Sequence, residues 1–215
     1  MIISFDGNTY LGKTQIILKL KDAFNAAVIE EYDTDLHVLE GKDHEQKQLY
    51  YFSLERERLH DLSRIANSLC LLDRSFLSVA AHSFAVSRIE RRAYFSETLE
   101  EVGKSLLSQT VIVPDFCFFL VQNDAGFEYQ DFHSKGGEDI LYSQRYRYCI
   151  DEFYLRVSKF AGNRDSFYIC DAAEKQDAML AKIKELLANE TGSRQNNSEI
   201  LLDTLRKIND QLLAD

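Results

Sequence analysis

Ser4-Phe5-Asp6-Gly7-Asn8-Thr9-Tyr10-Leu11-Gly12-Lys13-Thr14 lies near the start of the chain. It passes from an apolar strand through a glycine-bounded loop to Lys-Thr at the head of an amphipathic segment. The spacing is G-x-x-x-x-G-K-[ST], a loop that cradles phosphate. Gly7 and Gly12 let the backbone turn tightly and bring its N–H groups close to phosphate oxygens. The start of the following helix adds partial positive charge. Lys13 is placed to reach the outer phosphates, and the Thr14 hydroxyl to ligate Mg²⁺. The residues expected to hold the phosphate donor are Gly7, Asn8, Leu11, Gly12, Lys13, Thr14 and Gln15. A glycine-rich turn without a ligand is the alternative. Context favours the loop: Ile2-Ile3-Ser4-Phe5 reads as a strand before it, and Ile16, Ile17, Leu18, Leu20 and Phe24 give helical periodicity after it.

Working outward, apolar strand-like runs alternate with helical stretches. Asn25 to Glu31, Ser68 to Asp73, Phe116 to Val121 and Phe167 to Asp171 read as further strands. Helices are predicted over Glu45 to Asn67, Phe76 to Arg91, Ser96 to Leu107, Glu138 to Ala161 and Glu174 to Leu187. On the first of these, Leu49, Phe52, Leu59, Leu62 and Ile65 form the apolar stripe. Tyr32 to Asp43 and Asn123 to Gly137 read as loops. Near-continuous apolar strands alternating with helices predict an α/β fold, a three-layer arrangement with a five-stranded parallel sheet flanked by helices. In such sheets a ligand sits beyond the carboxyl ends of the strands. Those ends here carry Gly7, Glu30-Glu31, Asp73-Arg74 and Asp171.

Composition narrows the classes. With 215 residues and one proline, residues 1–188 are expected to form one domain, with 189–198 as a linker and 199–215 as a C-terminal amphipathic helix. That helix either docks on its own domain or pairs with another copy in a homodimer. The formal net charge of −10 argues against general nucleic-acid binding, which rests on neutralising phosphates with Lys and Arg. No apolar run approaches the roughly 18 residues of a membrane span. Met1 leads straight into the first strand, so a cytoplasmic protein without a leader peptide is expected. Cys70, Cys117, Cys149 and Cys170 show no metal-binding or disulfide spacing.

Asp73-Arg74-Ser75 follows a strand. A carboxylate there can hold Mg²⁺ or orient an acceptor, and an arginine can clamp phosphate charge. The alternatives are a buried ion pair, and an N-cap at Ser75.

The phosphate loop, Asp73-Arg74-Ser75, Pro114-Asp115 before a strand and Cys170-Asp171-Ala172 after one occur in this order. The sequence resembles the thymidylate kinase and deoxynucleoside kinase superfamily of P-loop kinases over about residues 1 to 188. The resemblance implies ATP and Mg²⁺ as cofactors, with Thr14 and Asp73 at the metal, and a mobile lid at about 123–147 hinged near Gly136 and Gly137. Arg145 and Arg147 are then the candidates to steady the transferred phosphoryl group; a solvated basic face is the alternative. Phe52-Ser53-Leu54-Glu55-Arg56 looks like the family's acceptor segment, in which Phe52 stacks on a base and Arg56 bonds its edge. The alternative is a core phenylalanine beside a surface arginine. Where thymidylate kinases carry an arginine for the acceptor phosphate, this chain has Glu30-Glu31-Tyr32. A glutamate would repel that dianion, but in deoxynucleoside kinases it takes the proton of the sugar hydroxyl, a role that Glu31 or Glu30 fits. The catalytic set implied is Lys13, Glu31, Asp73 and Arg74, with Arg74 also touching substrate.

The expected activity is ATP-dependent phosphorylation of a deoxynucleoside hydroxyl or a nucleoside monophosphate. Two other readings share the fold: a kinase of a hydroxymethylated base in DNA, and a nucleotide-binding regulatory module with little turnover.

Overall fold

The computed structural model describes residues 1–9, 11–32, 36–122, 143–162, 166–171, 176–189 and 197–214. Residues 123–142 of the expected lid at about 123–147, with its hinge glycines, and most of the expected linker lie outside the described residues. So does Tyr10.

Five parallel strands form one sheet in the order β2-β3-β1-β4-β5. They are β1 (Ile2–Gly7), β2 (Ala27–Ile29), β3 (Cys70–Asp73), β4 (Phe116–Val121) and β5 (Phe167–Asp171). The described helices are α1 (Lys13–Phe24), α2 (Leu36–Leu39), α3 (His44–Leu62), α4 (Leu77–Glu90), α5 (Tyr94–Leu107), α6 (Gln144–Ala161), α7 (Gln176–Asn189) and α8 (Asn197–Ala214). The short α2 falls where the sequence reads as loop.

The strand period of two divides the core. Ile3 and Phe5 of β1, with Phe118 and Leu120 of β4, face Ile17 and Leu20 of α1 and Ile183 of α7. Cys117, Phe119 and Val121 of β4 point the other way, into a larger core built from α3 to α6 and α8. Both faces of the sheet are therefore covered, which is why its strands are apolar throughout. The tail helix α8 packs Leu201, Leu205 and Ile208, all fully buried, into that second core.

Helix α3 buries more than its apolar stripe. Asp43 and Gln46 close a capping box at its start, which fixes where it begins. Its buried residues are Gln48, Phe52, Glu55 and Arg58, while Leu49 is 46% exposed. Of the expected stripe, Phe52 is fully buried and Leu59, Leu62 and Ile65 pack part-buried against the core; Leu49 alone is exposed, and Gln48, Glu55 and Arg58 form a buried polar ridge that hydropathy does not show.

Gly7 joins β1 to the loop at φ 137°, and a Cβ built there would stand 2.1 Å from the Leu120 backbone oxygen of β4. Both the dihedral and the space exclude a side chain. Gly7→Ala is expected to cost about 3–5 kcal/mol, read as a lowered urea midpoint with an unchanged slope.

Candidate active site

The carboxyl ends of β1, β2 and β3 bring the predicted residues together. Gly12, at φ 80°, is the N-cap of α1 and has no side-chain cap, so the first turn of α1 leaves its N–H groups for a ligand. Among the described residues no acceptor takes the N–H of Leu11 or Gly12. Lys13 is 5% exposed. Its Nζ donates to the carbonyl oxygens of Gly7 at 3.2 Å and Asn8 at 2.6 Å. Asn8 is held in turn: its Nδ2 donates to the Arg147 carbonyl at 2.9 Å and to Asp151 Oδ1 at 2.7 Å. The loop is thereby tied to α6.

Burial, followed by the nearby Arg74 charge, lowers the Lys13 pKa to about 7, against the opposing pull of Glu31, Asp73 and Asp6. A bound phosphate would return it towards its ordinary value. Binding of a magnesium nucleotide should therefore take up close to one proton at pH 8 and almost none at pH 6. Calorimetry in buffers of different ionisation enthalpy measures this directly; equal uptake at the two pH values would contradict it.

The Thr14 hydroxyl donates to Asp73 Oδ2 at 2.8 Å. Asp73 is 6% exposed, and its Oδ1 is buried without a hydrogen-bond partner. A buried carboxylate oxygen without a donor is costly. Next to a threonine hydroxyl at a phosphate loop, it suits a hard cation that takes oxygen ligands. The residues present fit Mg²⁺.

Arg74 sits at φ 66°, left-handed for a residue with a side chain, a conformation that surrounding contacts must hold. Those contacts come from α3. Arg58 Nη2 donates to the carbonyls of Asp73 at 3.0 Å and Arg74 at 2.9 Å. Glu55 accepts from Arg58 Nη1 at 3.1 Å. So held, Arg74 Nη1 donates to the Gly7 carbonyl at 3.0 Å, and its Nε stands 2.6 Å from Glu31 Oε1. Burial pushes the Glu55 pKa up to about 7 against the pull of Arg58. On the far side of β3, Asp6 accepts from the Ser75 N–H and from the hydroxyls of Ser75 and Ser78. Asp6 anchors the start of α4, so Ser75 serves that junction.

Between the loop, α3, α4 and α6 lies a cavity of about 220 Å³, with Glu31 and Arg74 in its wall beside Tyr32, Tyr51, His82 and Tyr146. Glu31 lines it; Glu30 lines a different surface hollow, beside Arg58 and Arg64. Phe52 does not line it. That ring is fully buried in the core, and Arg56 Nη2 donates to Glu101 on α5 at 3.0 Å, 47% exposed. The two residues expected to receive the acceptor thus stand away from this cavity, and the face of α3 that meets it carries Tyr51, one residue earlier. Arg147 is buried beside Asn8, whereas Arg145 lines a separate hollow with Arg91 and Arg92. Gln15 is exposed on the first turn of α1. The structure therefore gathers Lys13, Thr14, Glu31, Asp73 and Arg74, and leaves Phe52, Arg56 and Arg145 elsewhere.

With this geometry in view, comparison with solved structures is informative. Deoxyadenosine kinase from M. mycoides with bound dATP superposes with a TM-score of 0.65 at 14% identity, over 88% of this chain and 100% of that one. The fold is that of the P-loop deoxynucleoside and thymidylate kinases. The same M. mycoides enzyme with dCMP and dCDP gives a TM-score of 0.61 at 13% identity, over 87% and 99% of the two chains. Thymidylate kinase from Ehrlichia chaffeensis gives 0.55 at 15% identity, over 87% and 98%. No protein-family model and no curated protein sequence matches the chain. Among the described residues no helix is long and apolar enough to cross a membrane.

Proposed function

We propose that this protein transfers the γ-phosphoryl group of ATP to a hydroxyl of a nucleoside. The observation that carries the reading is the Glu31–Arg74 pair, 2.6 Å apart in the cavity wall, next to the carbonyl of the first loop glycine. A carboxylate there suits an acceptor that must lose a proton, and not one that arrives as a phosphate dianion. The likeness to a deoxyadenosine kinase fold supports the same choice.

The loop amides and Lys13 bind the donor phosphates. Thr14 and Asp73 would hold Mg²⁺, which would neutralise charge on the phosphate oxygens. Glu31 accepts the hydroxyl proton. Arg74, fixed by Arg58, aligns Glu31 and presents positive charge to the reacting groups. The small volume of the cavity, about 220 Å³, favours a single small acceptor over a nucleic-acid strand, in keeping with the net charge of −10.

The test is ADP release from ATP and Mg²⁺ with each deoxynucleoside, ribonucleoside and nucleoside monophosphate in turn. Turnover with at least one nucleoside, exceeding that with its monophosphate, is expected. ATP binding without release on any acceptor would favour a regulatory nucleotide-binding module.

A further inference from the structure

The deep wall of the cavity carries an arrangement that phosphoryl transfer does not require. His82 on α4 lines the cavity, and its Nδ1 lies 2.9 Å from the Tyr146 hydroxyl on α6, which lines it too. Behind His82, the His44 ring is stacked at 6.2 Å between centroids, and Tyr94 stacks on His44 at 4.1 Å. The outer ring is itself held. Thr98 Oγ1 donates to Ser83 Oγ at 2.7 Å, and His44 Nε2 lies 3.1 Å from the same oxygen. Ser83 keeps its own proton and a second lone pair, so the contact with His44 can form with either ring tautomer. Three elements, α3, α4 and α5, thus fix the plane against which His82 rests.

We infer that His82 is a specificity-determining residue that reads the base edge of the acceptor by donating a hydrogen bond from Nε2 to an acceptor atom on the base. A phenol is the better donor and a neutral imidazole nitrogen the better acceptor, so Tyr146 donates to Nδ1 and the ring proton sits on Nε2. Among the described residues no hydrogen bond reaches Nε2, and Nε2 is not one of the buried atoms without a partner. It therefore opens onto the cavity that His82 lines. Burial first, then His44 and Lys47, lowers the His82 pKa to about 4, so the ring is neutral near pH 7. A neutral, singly protonated ring held by Tyr146 offers a donor of fixed position. Its complement is a ring nitrogen or carbonyl oxygen of a nucleobase, not a phosphate. Tyr146 acts through His82 and is a positioning residue.

This inference rests on the nucleoside reading of the cavity, and the test separates the two. Binding of the four deoxynucleosides is measured by calorimetry for wild type, His82→Phe and Tyr146→Phe, alongside ADP release. Phenylalanine keeps the ring plane and the packing but has no donor. His82→Phe is expected to weaken the preferred deoxynucleoside on the order of 10-fold or more, to flatten the ranking of the four, and to leave the KM for ATP unchanged. Tyr146→Phe is expected to give a smaller loss in the same direction. A ranking kept intact in a folded His82→Phe variant overturns the inference while the kinase reading stands. Wild-type binding with that ranking but without ADP release overturns the kinase reading alone. Absence of deoxynucleoside binding to the wild type, with turnover on another acceptor, overturns the assignment of His82.

Discussion

Lys13→Ala is expected to lower phosphoryl transfer on the order of 10³-fold while the protein stays folded. The two halves of this result have separate physical origins. The loss of rate follows from removing the one side-chain cation inside the phosphate loop, where low dielectric makes a preorganised charge count most. Retention of the fold follows from the sign of its titration. A lysine shifted from 10.5 to about 7 is protonated more readily in the unfolded chain than in the folded one between those values. Stability is therefore fully present above about pH 10.5 and is lost progressively as pH falls towards 7. At neutral pH the native state already bears the cost of this charge, and alanine removes it. The two carbonyls that Lys13 caps, Gly7 and Asn8, belong to residues that line the cavity. ADP release and a thermal melt on the same preparation check both halves. A folded variant with full activity would end the assignment of the loop.

The split between what the sequence shows and what it hides has a physical basis. The phosphate loop, the parallel sheet and the acidic tips of β2 and β3 are legible because each is a local pattern: glycine spacing, an apolar run, a charge where the run stops. The start of α3 is local too, in the Asp43–Gln46 box. The inward face of α3 is not. Hydropathy marks Phe52, Leu59 and Leu62, which do pack inward, but not Glu55 and Arg58, which are buried because the site needs them there: Arg58 holds the strained turn at Arg74, and Glu55 holds Arg58. A polar ridge on a buried helix face has no signature in hydropathy, and a hydrophobic stripe displaced by one residue hides Tyr51 behind Phe52. The His44–His82–Tyr146 cluster brings together three helices and residues 102 positions apart from first to last, so no spacing in the chain announces it. Where local rules mislead, the cause is the function that overrides them. One signal was available in hindsight. Tyr32, Tyr51, Tyr146 and Tyr154 all line the cavity, and an α/β chain with no tryptophan and 11 tyrosines has hydroxyl-bearing rings to place at a polar pocket.

Glu31→Gln is the second large effect, and its sign carries information that its size does not. Glutamine keeps the shape of Glu31 and can still accept from Arg74, 2.6 Å away in the wild type, so the cavity wall is preserved. It cannot take a proton. With a nucleoside hydroxyl as acceptor, kcat should fall by about 10²–10⁴-fold, and the KM for ATP should stay within about twofold, since no donor-phosphate contact is altered. With a nucleoside monophosphate the outcome reverses. The acceptor oxygen is already anionic, a base is not needed, and Glu31 is a like charge that repels it. Removing that charge frees Arg74 to pair with the acceptor phosphate, so monophosphate turnover should rise or appear. A single substitution assayed on two acceptors therefore distinguishes the chemistries. Loss on the nucleoside with gain on the monophosphate establishes Glu31 as the base. Unchanged nucleoside turnover in Glu31→Gln would leave the pair with Arg74 a structural one, and the proton acceptor would have to be sought elsewhere in the cavity.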